Sequence, residues 1–588
     1  MCGVFGYVGE SIDVGAAVVR ALKTLEYRGY DSWGVAIAAS DSLLLDKEIG
    51  RINGHHRSYP MAALGLGHTR WATHGGVTGA NAHPHVDCTG RIAVVHNGII
   101  ENHAELRAEL VSRGHRFRSE TDSEVVSHLV EDRLANGESL ETAVATVFDA
   151  LAGYNAIVVL DRLEQALAAA KRVSPLVIGL HEGRTTIASD AIALHDHADE
   201  LIYLDDDHLA ILTADRVQVL NRGTMRSVSP PTCTHDPSPG GIALGQFPDF
   251  LSKEVHEQPD VLRRLVVEGK DEIAAHAAQI RSAKKVVLIG CGTSGNAALA
   301  GTYLLSQISQ RDATFVPASE FRYRAGPLNE NSLVIAFSQS GETVDVLDAL
   351  SEAKRCGAHI AAVVNTRNST LDRIASTSVY LRAGSEQCVL ATKSYTAMLS
   401  VLVLAAHAVA DNWTAGAAAV MSASDAIEHT LKPTARDHIA SIASSLAESR
   451  HLFVIGRGVH VASALEAALK IKEVSYIHAE GFAAGELKHG VIALIEPGTP
   501  CLVFAPADET RGDVLSGASE LRSRGATTIG VGSQNDAVFD KFIAIPDVRI
   551  ANPIVEAVPG QLLGYGAAIT LGLDPDRPRN LAKSVTVK

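Results

Sequence analysis

A cysteine stands second in the sequence, within the opening stretch MCGVFGYVGE. Removal of Met1 would leave the thiol of Cys2 beside a free α-amino group, and such a group has an ordinary pKa of about 7.7–8.0. The neutral amine can accept the thiol proton, directly or through water, which is the chemistry of an N-terminal nucleophile. The simpler alternative is a terminal cysteine without a role. The nucleophile hypothesis therefore needs support from other residues.

Two further segments of the N-terminal region carry side chains suited to such a reaction. HTRWATHG places Arg70, Thr73 and His74 close together. VVHNGII ends a predicted strand with Asn97 and Gly98, and an Asn-Gly pair is most often a hairpin turn. The same pair could form an oxyanion hole from the side-chain amide and the next backbone N–H. These residues favour acyl-transfer chemistry without requiring it.

A predicted helix start and several histidines lie in the same region. SETDSE contains Thr121 and Glu124 at the spacing of a capping box, which places Asp122 in the first helical turn and leaves a ligand role open to it. Six histidines could suggest a bound metal: His55, His56, His68, His74, His83 and His85. Because no HExxH motif or paired cysteine accompanies them, we expect no metal site.

Two loops rich in glycine and hydroxyl groups follow buried strands in the middle of the chain. Their residues are Gly292, Thr293, Ser294, Ser338, Gln339, Ser340 and Thr343. Backbone N–H groups and hydroxyls at a helix start bind anions, and in open α/β sheets ligands lie beyond the carboxyl ends of strands. The alternative is that these residues only cap helices and form turns. Because two such loops converge, we predict a site for a small phosphorylated metabolite.

Charged residues follow towards the C-terminal end. Glu466, Lys470 and Glu473 share one face of the helix predicted in ALEAALKIKEVSYIHAE, where ordinary ion pairs on a solvated face are the simpler interpretation. AAGELKHG adds His489, and the tail PRNLAKSVTVK adds Lys583. A tail lysine is usually exposed, whereas a Schiff-base role would need a desolvated or charge-perturbed amine.

The elements that must position these residues change along the chain. Short β-like runs up to about residue 220 predict an α+β, sheet-rich domain, and a stretch rich in Pro, Gly and Ser then predicts a linker. Buried strands alternating with helices follow, which is typical of a doubly wound parallel sheet. VVLIGCG and LFVIGRG recur at an offset of 166 residues, so this sheet is predicted twice. The predicted divisions are 1–222, the linker 223–275, 276–417, 443–579 and a tail 580–588.

Composition excludes several classes of function. A net charge of −15 and the lack of a dense Lys/Arg run argue against nucleic-acid binding. Seven cysteines without a CxxC pair indicate a reducing compartment. No signal-peptide pattern is found, and the longest apolar run, 398–410, is too short to span a bilayer. We therefore expect a cytoplasmic enzyme that binds neither nucleic acid nor membrane.

Together these motifs resemble a known family. CGVFGYVG, LEYRGYDSWGVA, HTRWATHGG, NAHPH, VVHNGIIENH and SETDSE are similar to class II glutamine amidotransferase domains, which use an N-terminal nucleophile. FLSKEVHEQP, GCGTSG, ASEFRYR, SQSGET, ATKSYT, EVSYIHAE, AAGELKHG and PRNLAKSVTV resemble two sugar isomerase (SIS) domains. Their order resembles the glutamine–fructose-6-phosphate aminotransferase (isomerising) family. The resemblance implies a four-layer αββα glutaminase domain followed by two doubly wound parallel-sheet SIS domains.

The resemblance also implies roles in the N-terminal site. Cys2 would attack the side-chain amide of glutamine, form a thioester and release ammonia. Asn97 and Gly98 would form the oxyanion hole. Arg70 would bind the α-carboxylate of the substrate and Asp122 its α-amino group.

Several residues would surround the bound glutamine. The implied glutamine-binding residues are Arg28, Arg70, Trp71, Thr73, His74, Gly98 and Asp122. In the family, the position of Arg28 lies in a loop that closes over the pocket, and that of Trp71 is the gate of an internal ammonia tunnel.

In the isomerase half, the resemblance assigns the two hydroxyl-rich loops to the sugar phosphate, together with Val389 and Ala582. Lys583 would form a Schiff base with the open-chain ketone, and Glu473 would move a proton between C1 and C2 with Lys470 nearby. His489 would assist ring opening from the partner subunit, which implies a homodimer. No metal or redox cofactor is implied, since an iminium supplies the electron sink.

Two departures from the family pattern keep alternatives open. Ala391 replaces a usual serine, and Gly295 replaces a usual aromatic residue. One alternative is therefore an enzyme of the same architecture that aminates or deaminates another sugar phosphate. A sugar-phosphate-sensing regulator would need a DNA-binding module, and an asparagine synthetase-like enzyme would need an ATP-pyrophosphatase loop; neither is found in the sequence. The glutaminase–isomerase linker lacks the long insertion of animal and fungal relatives, which suggests a bacterial-type enzyme.

Overall fold

The computed structural model of the 588-residue chain describes residues 2–39, 41–53, 57–234 and 243–585. The chain divides into two compact units, of which unit 1 comprises Met1–Ser238 with Ser584–Lys588 and unit 2 comprises Pro239–Lys583. Met1, His55, His56, part of the predicted linker and the last three residues of the predicted tail lie outside the described residues. None of the described helices is long and apolar enough to cross a membrane.

Unit 1 is built from short strands and a few helices. Its strands are β1 (Gly3–Ile12), β2 (Ser32–Ala38), β3 (Leu43–Ile49), β4 (Ala62–Arg70), β5 (His85–Val86), β6 (Ile92–Gly98), β7 (Asn155–Asp161), β8 (Ala166–Lys171), β9 (Val177–His181), β10 (Arg184–Ala188), β11 (Glu200–Tyr203), β12 (His208–Leu212), β13 (Val217–Asn221), β14 (Ser227–Val228) and β15 (Cys233–Thr234). Its helices are α1 (Val14–Thr24), α2 (His103–Ser112), α3 (Glu124–Ala135) and α4 (Leu140–Ala150).

These strands form two antiparallel sheets. One has the order β15-β11-β9-β10-β1-β4-β2-β3 and the other the order β14-β13-β12-β8-β7-β6-β5. Apolar side chains of both sheets, such as Leu64 and Val158, form a common core. Helix α1 covers the outer face of the first sheet, and α3 and α4 cover that of the second. The four-layer αββα fold expected from the resemblance is therefore confirmed.

Unit 2 alternates strands with helices. Its strands are β16 (Lys285–Gly290), β17 (Thr314–Pro317), β18 (Ser332–Ser338), β19 (His359–Val364), β20 (Thr377–Tyr380), β21 (His451–Gly456), β22 (His478–Ala483), β23 (Pro500–Phe504), β24 (Thr527–Gly532) and β25 (Lys541–Ala544). Its helices are α5 (Phe250–Glu268), α6 (Lys270–Ser282), α7 (Gly292–Ser309), α8 (Val344–Arg355), α9 (Thr370–Ile374), α10 (Lys393–Val409), α11 (Trp413–Thr430), α12 (Pro433–Leu446), α13 (His460–Ser475), α14 (Arg511–Ser523) and α15 (Asn552–Thr570).

The strands of unit 2 form two parallel sheets of equivalent topology. Their orders are β17-β16-β18-β19-β20 and β22-β21-β23-β24-β25, so the predicted duplication is confirmed. A single cluster of buried apolar residues extends over both copies, from Leu251 to Ala568. Helix α13 of the second copy contacts α7 of the first. The two copies therefore share one core.

The segment 223–275 differs from the predicted linker. Strands β14 and β15 pair within the sheets of unit 1, and α5 and the start of α6 belong to unit 2. Helix α5 forms because Leu251, Leu262 and Leu265 bury one face, and the carboxylate of Asp249 caps the helix by accepting a hydrogen bond from the Ser252 backbone N–H at 2.7 Å. Because the sequence of α5 is rich in charged residues, it resembled a linker rather than a buried helix.

A buried histidine in unit 2 has two acidic partners. Nδ1 of His460 lies 2.8 Å from a Glu556 oxygen, and Nε2 lies 2.9 Å from an Asp508 oxygen. Burial alone would lower the pKa of His460, but these two carboxylates raise it to about 10. A raised imidazole pKa stabilises the folded state fully below the unfolded value of about 6.5, and this contribution is lost as the pH rises through about 10.

We therefore expect His460→Asn to destabilise unit 2 at pH 7 by about 3–5 kcal/mol, because Glu556 and Asp508 lose the cation between them. Calorimetric unfolding midpoints measured from pH 6 to 10 should show the gap between wild type and variant narrowing as the pH rises. His359→Asn, at an exposed histidine of the same unit, is the matched control and should leave the midpoint nearly unchanged. A gap independent of pH would contradict the role given to the charged imidazole.

Candidate active sites

Cys2 immediately precedes β1, which pairs with β4 on one side and β10 on the other. The Trp71 backbone N–H donates to Sγ of Cys2 at 3.2 Å, and Nδ2 of Asn97 donates to the Cys2 carbonyl oxygen at 2.9 Å. A Cβ atom at Gly3 would lie 2.6 Å from Oγ1 of Thr69, so only glycine lets the backbone approach β4 this closely. The sheet therefore holds the thiol in a defined position.

The Asn97–Gly98 pair ends β6, as predicted. Gly98 has φ +142°, and a Cβ atom there would lie 2.2 Å from the Tyr154 carbonyl oxygen. Nε2 of His68 lies 3.1 Å from both the His96 carbonyl oxygen and Oδ1 of Asn97. Because a carbonyl oxygen only accepts, Nε2 of His68 carries the proton and donates to both.

His68 thereby orients the Asn97 amide. Burial lowers the pKa of His68 to about 3, so the ring is neutral at physiological pH. Because the N–H of His68 donates to the side-chain oxygen of Asn97, the NH₂ group of Asn97 faces Cys2. His68 was considered in the sequence only as a metal ligand, and no local pattern indicates this positioning role, since the two residues lie on opposite sheets.

Cys2 and Asn97 share a pocket with most of the predicted glutamine-binding residues. The pocket is lined by Cys2, Arg70, Trp71, Thr73, His74, His83, His96, Asn97, Gly98, Thr121, Asp122 and Ser123. The Arg70 guanidinium donates to the His74 carbonyl and, at 3.1 Å, to the Gly76 carbonyl, which shapes the loop after β4. Asp122 accepts from the Ile100 N–H at 2.8 Å. A cation and an anion in one pocket suit a zwitterionic ligand.

Nearby charges oppose the effect of burial on the pKa of the Cys2 thiol. Burial raises the pKa of the Cys2 thiol, while the Trp71 N–H, Arg70 and Arg28 act to lower it. Arg28 contacts Cys2 from the backbone side: its Nε donates to the Cys2 carbonyl at 3.4 Å, and its Nη1 pairs with Asp190 at 3.0 Å. The resting thiol is thus predominantly protonated and needs a base to become a nucleophile.

The predicted capping box at Thr121 and Glu124 is wrong. Helix α3 begins at Glu124, so Asp122 precedes the helix and is not in its first turn. The Glu124 carboxylate accepts from the N–H groups of Arg118 and Ser119, each at 2.7 Å, and Thr121 contacts His85. The chain reverses its direction before α3. The reversal brings the N–H groups of Arg118 and Ser119 to the Glu124 carboxylate, which a capping box would instead pair with the N–H of Thr121.

In unit 2, the two hydroxyl-rich loops lie side by side. Gly292, Thr293 and Ser294 form the first turn of α7 directly after β16, and the Ser338–Thr343 loop joins β18 to α8. Because β16 and β18 are paired in parallel, both loops lie at the same edge of the sheet. Gly341 has φ +70° and donates its N–H to Oγ of Ser338 at 3.0 Å, which curls the second loop. The backbone N–H groups and hydroxyls of both loops are therefore neighbours, and the anion site predicted there remains a prediction.

Thr293 also contacts a residue of the second copy, which the sequence did not suggest. Its hydroxyl donates to the Glu466 carboxylate at 3.0 Å, and Nδ2 of Asn296 donates to the other oxygen at 2.8 Å. The Thr293 hydroxyl therefore ties α7 of the first copy to α13 of the second.

The charged face of α13 is buried, so its interpretation as a solvated face is wrong. The side chains of Glu466 and Lys470 are each 2 % exposed. Nζ of Lys470 donates to Glu473 at 2.6 Å and lies 3.5 Å from Glu466. Burial would lower the pKa of Lys470, but Glu473, Glu466 and Glu386 raise it, so the lysine is charged.

Lys583 is also buried, although it belongs to the predicted tail. Its side chain is 4 % exposed, and Nζ donates to Glu386 at 2.7 Å and to the Leu390 carbonyl at 3.2 Å. Although burial raises the pKa of Glu386, Lys583 and the Thr392 backbone N–H lower it to about 2. Glu386 was missed in the sequence because 197 residues separate it from Lys583.

Of the other predicted residues that the structure describes, Val389 lies beside this pair and His489 does not contact it. The Val389 N–H donates to the Asp576 carbonyl at 3.0 Å, which ties its loop to the segment before Ala582. His489 ends the short helix Ala484–His489 and is exposed. Within the described part of the chain, His489 has no hydrogen bond or ion pair to Lys583. The single chain thus brings together all the predicted isomerase charges except His489.

Gly295, one of the two departures, packs tightly in α7. A Cβ atom at this position would lie 3.2 Å from the Gly290 carbonyl and 3.4 Å from the ring of Phe315 on β17. Phe315 therefore fills space beside the position where the family has its aromatic residue. Ala391 directly precedes Thr392, whose N–H bonds to Glu386 at 2.9 Å.

Comparison with family models divides the chain in agreement with its fold. A glutamine amidotransferase domain matches residues 68–196, and a SIS domain matches residues 279–408 and again 445–571. The fold and the sites thus define a glutamine amidotransferase domain joined to two sugar isomerase domains.

Full-length relatives narrow the assignment. Curated proteins from Thermococcus kodakarensis and Thermus thermophilus are each 40% identical to the chain, and one from Corynebacterium glutamicum is 38% identical, with all of both chains covered in every case. Each is named glutamine–fructose-6-phosphate aminotransferase (isomerizing). The chain belongs to this family, which confirms the resemblance seen in its motifs.

Solved structures are similar to the C-terminal half. The C-terminal domain of glucosamine-fructose-6-phosphate aminotransferase from Francisella tularensis is 27% identical, with a TM-score of 0.54 over 57% of this chain and 100% of that one. Tagatose-6-phosphate ketose/aldose isomerase from Escherichia coli is 17% identical, with a TM-score of 0.51 over 57% of this chain and 97% of that one, and shows the same fold.

Proposed function

We propose that the protein converts D-fructose 6-phosphate and L-glutamine into D-glucosamine 6-phosphate and L-glutamate, the first step towards hexosamine-containing cell-wall precursors. The observation that carries this proposal is that one chain holds both a half-buried thiol beside an oriented amide and a buried lysine–carboxylate pair in a sugar isomerase fold. The names of the full-length relatives support the same substrates. The first site would release ammonia and the second would consume it.

The glutaminase step uses the groups around Cys2. After removal of Met1, the free α-amino group takes the thiol proton, and the thiolate attacks the amide carbon of glutamine. The Asn97 amide and the Gly98 N–H stabilise the oxyanion that forms. The α-ammonium group returns its proton to the amide nitrogen, so that collapse of the oxyanion releases ammonia and leaves a glutamyl thioester. Water then hydrolyses the thioester to glutamate and the free thiol. Arg70 and Asp122 hold the α-carboxylate and α-amino groups of the substrate.

Replacing Asn97 with alanine tests the oxyanion assignment. We expect kcat for glutamine hydrolysis to fall by about 10²–10³-fold, because one preorganised donor is lost. Synthesis from added ammonia should remain within a few-fold of wild type, since this reaction bypasses the thiol. Rates of glutamate and glucosamine 6-phosphate formation measure both. Asn221→Ala, at a strand end of unit 1, is the control, and equal losses in the two variants would contradict the assignment.

The isomerase step uses Lys583. Its neutral amine attacks C2 of the open-chain ketone and water leaves, which gives an iminium; Glu386 and the Leu390 carbonyl hold the amine in place. Ammonia then adds at C2 and the lysine amine leaves, so that C2 carries the new nitrogen. Glu473 removes a proton from C1, one is returned at C2, and the product is a 2-amino aldose. Lys470 holds the Glu473 carboxylate in place.

The remaining predicted residues bind the sugar phosphate or complete the site. The hydroxyl-rich loops, with Val389 and Ala582, would hold the phosphate and the open chain. His489 of the partner subunit would assist ring opening in a homodimer, which agrees with its exposed position. We further propose that the enzyme acts in the cytoplasm, in keeping with its seven widely spaced cysteines without a CxxC pair.

A direct assay tests the whole proposal. The protein is incubated with glutamine and fructose 6-phosphate, and glutamate and glucosamine 6-phosphate are measured. Equimolar formation of both is expected. Other hexose and ketose phosphates are tested in parallel, because Ala391 leaves a related substrate as the second candidate. A faster reaction with one of these would replace fructose 6-phosphate in the proposal.

A further inference from the structure

Four side chains with metal-binding atoms meet in unit 1, outside the glutamine pocket. Cys88 lies in the turn between β5 and β6, His115 follows α2, and His128 and Glu131 lie one turn apart on α3. One ligand atom from each lies within 4.8 Å of all the others. Three segments that are separate in the sequence meet at this point. Ordinary charged residues on a surface need not come together from separate segments.

Four of the six distances between these atoms are close to the edges of a tetrahedral metal site. Sγ of Cys88 lies 3.6 Å from Nδ1 of His128 and 3.8 Å from Nδ1 of His115. Oε2 of Glu131 lies 3.0 Å from Nδ1 of His115 and 3.2 Å from Nδ1 of His128. Ordinary zinc–ligand bond lengths give tetrahedral edges of about 3.6 Å between sulfur and nitrogen and about 3.4 Å between nitrogen and oxygen. Each of these four distances lies within about 0.4 Å of the tetrahedral value.

The outer nitrogens of both imidazoles face carboxylates. Nε2 of His115 lies 2.7 Å from Oδ1 of Asp132, and Nε2 of His128 lies 3.7 Å from Oε1 of Glu124. The His115–Asp132 hydrogen bond is of the kind that turns the inner nitrogen of a histidine towards a metal, whereas the His128–Glu124 separation is too long for a hydrogen bond. The Arg116 backbone N–H also points at Sγ of Cys88, at 3.4 Å, as donors do at metal-bound thiolates.

We propose that Cys88, His115, His128 and Glu131 bind one divalent transition-metal ion of the zinc class. A thiolate and a carboxylate balance its charge, and the two imidazoles bind neutral. Sulfur and nitrogen ligands favour zinc over magnesium or calcium. Four protein ligands close the site, so its role is structural. This proposal departs from the expectation of no metal, which considered histidines elsewhere in the domain, and it is independent of the proposed function.

The ion would stabilise one wall of the glutamine pocket. It would tie the β5–β6 turn and the segment after α2 to α3. The chain between His115 and α3 includes Asp122, which lines the pocket, and Glu124 of α3 already bonds to the N–H groups of Arg118 and Ser119. Loss of the ion should therefore loosen the support of Asp122 without removing a group from the pocket.

Metal binding to the full-length, untagged protein tests the proposal. After removal of bound metal with a chelator, titration with Zn²⁺ should give one ion per chain. Co²⁺ should give the absorption of a tetrahedral ion with a thiolate charge-transfer band. Removing the ion should also lower the unfolding midpoint of the glutaminase unit. The absence of stoichiometric binding, or a Co²⁺ spectrum without the thiolate band, would overturn the proposal in favour of an ion-pair network.

Variants locate the ion. Cys88→Ser should abolish the thiolate band, and because Cys88 is exposed the protein should still fold. His115→Ala should weaken Zn²⁺ binding by at least about 10-fold. Cys2→Ala and Cys356→Ser are the matched controls and should retain the full spectrum. A thiolate band that survives Cys88→Ser or is lost in Cys2→Ala would place the ion elsewhere and contradict the assignment.

Discussion

Replacing Cys2 with alanine should abolish glutamine-dependent synthesis, with a loss of at least about 10³-fold, because the nucleophile that forms the thioester is gone. The same variant should make glucosamine 6-phosphate from added ammonia at close to the wild-type rate, since the isomerase groups lie in unit 2. Product formation with glutamine and with an ammonium salt gives both rates. Because alanine differs from cysteine only by the loss of Sγ, we expect the packing around β1 to be preserved.

Two controls sharpen this experiment. Cys233→Ala, at another half-buried thiol of unit 1, should retain glutamine-dependent synthesis. A preparation with a retained Met1 or an N-terminal tag should behave like Cys2→Ala, because the α-amino group is then no longer beside the thiol. Glutamine-dependent synthesis that survives Cys2→Ala would show that the nucleophile is wrongly assigned.

Lys583→Arg should abolish synthesis from both glutamine and ammonia while glutamine hydrolysis persists. Arginine keeps the positive charge beside Glu386 but remains protonated in proteins, so it forms no Schiff base. The expected loss of synthesis is at least about 10³-fold. Glutamate release measured alone, and product formation with each nitrogen donor, separate the two activities.

A matched lysine and a trapping reaction complete this test. Lys541→Arg, on β25, should retain synthesis. Borohydride reduction in the presence of fructose 6-phosphate should link the sugar to wild-type protein and not to Lys583→Arg. Equal loss of hydrolysis and synthesis in Lys583→Arg would contradict the division of labour between the two units.

The sequence predicted those parts of the fold that depend on local pattern. Runs such as KKVVLIG form buried parallel strands because their side chains are apolar on both faces, and the recurrence at 166 residues gives two sheets with one strand order. The predicted loops at residues 292–294 and 338–343 are neighbours because strands that are paired in parallel end at the same edge. The helix α5 was missed because its apolar face is narrow within a charged segment.

The sites were predicted less completely, because their energetics depend on distant residues. Periodicity placed Glu466, Lys470 and Glu473 on one face but could not show that this face is buried against the first copy. Nothing near Lys583 indicates Glu386, and nothing near Asn97 indicates that His68 orients its amide. In each case the partner comes from another strand or helix, and burial turns an ordinary charge or imidazole into a positioned group.

The hydrogen bonds from Thr293 and Asn296 to Glu466 have a consequence for the history of the duplicated half. The first copy keeps the serines of its hydroxyl-rich loop, while the second has PADET there and supplies the charged helix α13. The two copies thus differ in the polar groups that they supply, and the apolar core runs through both. Each copy therefore depends on the other. Neither copy can be deleted, and neither is expected to evolve into an independent isomerase.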